Sequence, residues 1–184
     1  SGTGTNRTVQ VTPAADRFGT ATITVTVNDS GVSNNLATRT FRVTVFSVNE
    51  PPALTAPSDL TIAEDAGSQT VNLVGISSGE PSEVQFLAVT ATSSDPALIP
   101  TPTVTYTSPD TTGTLRFAPR ANAFGTATLT VTVDDGGASN NVVRRTFTVT
   151  VQSVNDLPAI STVGNQDILE DTSTAAIPFT VGDV

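Results

Sequence analysis

FGTATITVTV, residues 18–27, returns as FGTATLTVTV, residues 124–133, 106 residues further along the chain. Other landmarks keep that spacing. Val48-Asn49 ahead of Pro52 recurs as Val154-Asn155 ahead of Pro158, and Glu64-Asp65 recurs as Glu170-Asp171. Three separate features in one register make the period a module of about domain length. Each copy of the quoted stretch alternates Thr with an aliphatic residue, the period of a strand with one buried and one wet face. In the second copy Ala127, Leu129, Val131 and Val133 point one way, and Thr126, Thr128, Thr130 and Thr132 the other. Thr suits the wet face because its branched side chain fits the pleat while its hydroxyl keeps the surface soluble.

The alternation continues through Phe147, Val149 and Val151 and, one period earlier, through Phe41, Val43 and Val45. Over the complete repeat, residues 53–158, the pattern predicts strands near 60–63, 70–76, 86–92, 102–106, 113–118, 125–134 and 143–153, and no helix. Asp134-Asp135-Gly136-Gly137 has the composition of a tight hairpin turn between the last two. The fold class expected is therefore all-β, a tandem array of seven-stranded Greek-key β-sandwiches with a period of 106 residues. With Cys and Trp both absent, the core has to come from Val71, Leu73, Leu87, Val89, Leu115, Phe117, Phe124, Leu129, Val131, Phe147 and Val149.

Residues 1–52 are expected to supply the last three strands of a first sandwich. Residues 159–184 are expected to supply the first two strands of a third, with Ile177 and Phe179 standing where Val71 and Leu73 stand. Neither piece closes a sandwich alone, so its unpaired edges are expected to recruit strands from neighbouring chains into fibres. Both ends fall inside a module and Met is absent, which points to a longer polypeptide.

The chain carries a formal net charge of −9, and its eight basic residues are all Arg. Nucleic acid needs clustered cations, and only Arg144-Arg145 are adjacent, read here as charges on an exposed edge strand that discourage unwanted pairing. No apolar run approaches the roughly 20 residues that span a bilayer. The absence of Cys and His removes zinc sites, thiol catalysis, Ser-His-Asp triads and disulfides. Glu64 and Asp65, adjacent at a strand end, face opposite ways and cannot flank one glycosidic bond, so no enzyme is expected. What remains is oxygen chemistry suited to a hard cation, Ca²⁺ foremost. Asn6-Arg7-Thr8 and Asn28-Asp29-Ser30 match the glycosylation sequon, as chance matches do in so Asn- and Thr-rich a chain.

The linkers Val48-Asn49-Glu50-Pro51-Pro52 and Val154-Asn155-Asp156-Leu157-Pro158 belong with the Glu-Asp pair, with LAVTATSSDPALIP (87–100) and with FGTATLTVTVDDG (124–136). Together they resemble, over the whole chain, the tandem cadherin-like and immunoglobulin-like repeats of large bacterial extracellular surface proteins. The resemblance implies a secreted or cell-surface structural module, part of a stalk or filament, whose partners are the neighbouring repeats. The alternative it implies is an adhesin domain that binds glycan or protein, which needs an exposed aromatic or a loop insertion; the lone Tyr106 is a poor platform. It also implies Ca²⁺ where modules meet. At the second junction the implied ligands are Glu64, Asp65, Asn155, Asp156 and Asp183. At the first, Ser77 stands where an acid is wanted, leaving Asp16, Asn49 and Glu50, with Glu80 and Glu83 nearby. Short Pro-containing linkers should hold adjacent modules end to end.

Overall fold

A computed structural model describes residues 5–183, with residues 1–4 and 184 outside the described part. The described residues form strands and no helix. In chain order, β1 (Gly19–Asn28) and β2 (Leu36–Val45) make a separate hairpin. The strands β3 (Leu60–Ala63), β4 (Gln69–Val74), β5 (Ala88–Ser93), β6 (Thr103–Thr105), β7 (Thr112–Phe117), β8 (Gly125–Asp134) and β9 (Val142–Gln152) build two sheets, ordered β3-β9-β8-β5 and β4-β7-β6. The short pair β10 (Ala159–Ile160) and β11 (Val181–Gly182) follows. All pairings are antiparallel except β3 beside β9.

The two sheets bury one common core, which makes this unit a β-sandwich. Leu73 and Leu115 come from one sheet and Leu129, Val131, Phe147 and Val149 from the other. In β8 the inward residues Ala127, Leu129, Val131 and Val133 are buried, while Thr128, Thr130 and Thr132 on the other face are half-buried. Burying each Val or Leu is worth roughly 1.5–3 kcal/mol, so the aliphatic half of the alternation drives the closure. Val71 and Val89 are only partly buried against the core.

Several positions depart from the expected pattern. Phe124 is 65% exposed rather than in the core. It precedes β8 and shares the parity of Thr126 and Thr128, so the alternation itself turns it toward water. Leu98 and Ile99 enter the core from a loop: Asp95 Oδ1 accepts the N–H groups of Ala97 and Leu98 at 3.0 and 3.1 Å, and the resulting turn aims both side chains inward. The N-terminal part has two strands among its described residues, not three. The counterpart of residues 7–11 in the complete unit is β7, which is held by β4 and β6, and no described strand lies there to do the same. Ile177 and Phe179 lie outside the two-residue strands β10 and β11. As a whole β9 is not an edge, for it runs between β3 and β8, but β3 reaches only Val149–Gln152, so at the exposed Arg144 and Arg145 β9 pairs with β8 alone, and Arg145 Nε donates to Leu54 O at 3.1 Å.

The β1–β2 hairpin presents a contrast in burial. Val25, Val27 and Phe41 are 39%, 62% and 41% exposed, whereas Val131, Val133 and Phe147 at the matching places in β8 and β9 are at 0%, 0% and 2%. The sequences are nearly the same. Burial differs because no second sheet lies over β1–β2 among the described residues.

Candidate functional site at the two linkers

The parallel seam of β3 along β9 ends with Ala63 opposite Gln152, so the Glu64-Asp65 pair emerges beside the segment leaving the module. Glu64 is 4% exposed; its N–H donates to Gln152 O at 2.9 Å and its Oε1 accepts the N–H of Val154 at 2.7 Å. A buried carboxylate needs such a donor to be tolerated. Asp156 follows in the linker. Its Oδ2 is buried with no hydrogen-bond partner. Its pKa is raised above the ordinary 3.8, by lost solvation first and then by the negative charges of Asp65, Glu64 and Asp183. Three of the other residues considered above as calcium ligands therefore bear on Asp156 here. The fifth, Asn155, is exposed and donates from Nδ2 to Asp156 O at 2.9 Å. No group of three or more acidic side chains among the described residues is drawn together tightly enough to hold a metal as it stands.

At the first linker the centre is Asn49. Its Nδ2 lies 3.2 Å from Asp135 Oδ2 and 3.0 Å from Ser139 O, and 3.2 Å from Glu50 O in its own chain segment. Gln85 Nε2 donates to Asn49 Oδ1, and Asn140 Nδ2 donates to Asn49 O at 3.4 Å. The Asp134-Asp135-Gly136-Gly137 turn is built as its composition suggests: Asp134 Oδ1 accepts Gly136 N–H and Asp135 Oδ1 accepts Gly137 N–H, both at 2.8 Å. Its second use, holding the linker, joins residues 86 and 90 positions apart, a separation at which a linear sequence carries no signal. Glu83, considered beside the first junction, spends Oε1 on Glu50 N–H at 3.0 Å, while its Oε2 is buried without a partner. Gly79, at φ +107, lets the chain pass close to Pro51, whose carbonyl oxygen would lie 2.8 Å from any Cβ.

Tyr106 is half-buried and packs against the core, whereas Phe86 and Val84, ahead of β5, are 76% and 95% exposed. No helix of the described residues is long and apolar enough to cross a membrane.

No protein-family model matches the chain, and no curated protein matches it. Among solved structures, domains 4 and 5 of the S-layer protein SbsC are similar at 17% identity and a TM-score of 0.40, over 73% of this chain and 66% of that one. Domains 4–9 of the same surface layer protein give 18% and 0.40, over 91% of this chain and 24% of that one. Titin domains Z1Z2, in a structure with telethonin, give 14% and 0.40, over 63% and 55%. The chain spans 66% or less of each of these structures.

Proposed function

We propose that this chain is a non-enzymatic structural segment of an extracellular surface protein, in which seven-stranded Greek-key sandwiches repeat to extend a stalk or build a filament. The observation that carries this reading is the recurrence of whole hydrogen-bonded turns. Asp135 N–H to Asn141 O at 3.0 Å has its counterpart in Asp29 N–H to Asn35 O at 3.1 Å, and Gly137 N–H to Asp135 Oδ1 in Gly31 N–H to Asp29 Oδ1. Toward the other end, Thr55 N–H to Val74 O at 3.0 Å is matched by Ser161 N–H to Thr180 O at 2.9 Å. Each pair keeps the same offset. Residues 1–52, 53–158 and 159–184 are on this reading parts of a first, the whole of a second, and the opening of a third module. A second copy of the chain that paired strands with the open edges of the β1–β2 hairpin would assemble such segments into fibres.

Ca²⁺ at the second junction belongs to the same proposal. The orphaned Asp156 Oδ2, surrounded by negative charge, is the kind of atom a hard cation satisfies. Glu64, Asp65, Asn155, Asp156 and Asp183 would hold the ion, which would neutralise their repulsion and stiffen the linker. The test is a thermal melt of the chain with millimolar Ca²⁺ and with a chelator. Calcium should raise the midpoint, and Asp156→Asn should abolish the difference. An unchanged midpoint removes the ion and leaves the stalk.

The exposed Phe86 favours a second reading, an adhesin domain that binds glycan or protein through the loop before β5. A glycan array separates the two. A spacer binds nothing selectively, and selective binding lost in Phe86→Ala would establish the adhesin.

A further inference from the structure

The two linkers display complementary halves of one fastening. Behind the complete module, Val154 is held by the unit it leaves, through Glu64 Oε1. Ahead of it, Asn49 is held by the unit it enters, through Asp135, Ser139, Asn140 and Gln85. We propose that each Val-Asn linker is pinned twice, its Val N–H by the buried Glu of the preceding module and its Asn side chain by a socket on the last hairpin turn of the following one. Consecutive modules are thereby locked in one orientation by hydrogen bonds that need no ion to form. This rests on the tandem-repeat reading above.

The socket is shaped for an asparagine. Asp135 is 4% exposed, and its carboxylate has to be met by donors, which the Gly137 N–H and the Asn49 amide supply. The Asn49 oxygen in turn receives Gln85, so both ends of the amide are used. A Cβ on Gly137 would stand 2.5 Å from Asn49 Oδ1, and that glycine is the residue that gives the side chain room to seat. The first module keeps the same parts. Asp29, Gly31, Ser33 and Asn34 correspond to Asp135, Gly137, Ser139 and Asn140. Asn34 and Asn140 share a positive φ, 50° and 52°. A Cβ on Gly31 would meet only atoms of its own turn. That turn is the socket for a Val-Asn linker arriving from upstream. Glu170 stands at the counterpart of Glu64 and is exposed here.

The test is limited digestion of the full chain by a broad-specificity protease, with cuts mapped by mass spectrometry to residues 46–50 and 153–157. Phe46 and Leu157, at 83% and 91% exposed, leave both linkers approachable. Asn49→Ala should speed cutting at the first linker about tenfold and leave the second unchanged, as loss of a charge-assisted hydrogen bond allows. Gly137→Ala, which keeps Asn49 but fills its seat, should reproduce this. Glu64→Ala should do the reverse, speeding the second linker alone. Wild-type cutting at the first linker in both Asn49→Ala and Gly137→Ala overturns the lock while leaving the repeat reading intact. Equal acceleration of both linkers by every variant would instead mean one cooperative unit across Pro52 and Pro158, which sinks the repeat reading itself.

Discussion

Val133→Ala and Val27→Ala make the same chemical change at matching places in the two hairpins, yet they should differ severalfold in cost. Val133 is 0% exposed and pairs with Val89 across β8 and β5; Val27 is 62% exposed. Truncating a buried Val removes two carbons, about 1.6 kcal/mol at ~0.8 kcal/mol for each. The surrounding sheet relaxes only partly, and the cavity left behind adds about 1 kcal/mol more. The sum, roughly 2.5 kcal/mol, should lower the melting midpoint of a module of this size by roughly 10–20 °C. Val27 is already mostly wet, so its truncation should cost no more than about 0.6 kcal/mol. Urea titration with a shared slope for wild type and both variants gives the comparison directly, since an unchanged slope assigns the loss to the native core. Equal losses would refute the reasoning, because they would mean that the β1–β2 face is as fully covered as the module's interior.

Two further outcomes follow from the linkers. In calcium-free buffer, a carboxyl whose folded pKa is raised holds its proton more tightly when folded. Asp156 therefore favours the native state below 3.8, and that contribution is lost as pH rises through its raised value. Asp156→Asn should flatten this part of the melting profile, and an unaltered profile would remove Asp156 from the account. Gly79→Ala should cost at least about 1 kcal/mol, since it combines a positive φ with a Cβ against the Pro51 carbonyl. A variant as stable as wild type in a denaturant titration would show that this loop does not press on the linker.

The sheets were legible where side chains obey a local period. In β8 and β9 the alternation alone marks Leu129, Val131, Phe147 and Val149 as inward, and the strand limits fall within a residue or two of the pattern. Parity also explains the error at Phe124, expected in the core although its position in the alternation puts it on the Thr side. Leu54, Ile76, Leu98 and Ile99 escaped because each is delivered to the core by a turn or a strand end, where no period runs. Glu64-Asp65 and the Val-Asn linker stood out because they recur in one register; that Glu64 meets the departing segment is the work of the parallel seam of β3 with β9. Gln85, Asp135, Ser139 and Asn140 around Asn49 did not stand out, because folding alone brings these distant segments together.

The same parallel seam has a mechanical consequence. The incoming strand β3 and the outgoing strand β9 run in one direction, paired from Leu60 opposite Val149 to Ala63 opposite Gln152. Asp59 Oδ1 on Thr148 N–H at 2.7 Å closes one end of that patch, and Glu64 N–H on Gln152 O closes the other. Tension applied along the polypeptide drags these two segments past each other, so their cross-links are strained in shear and must rupture together. An antiparallel pair with adjacent ends would peel open one link at a time, and a chain that has to bear a load in series gains strength from the arrangement seen here.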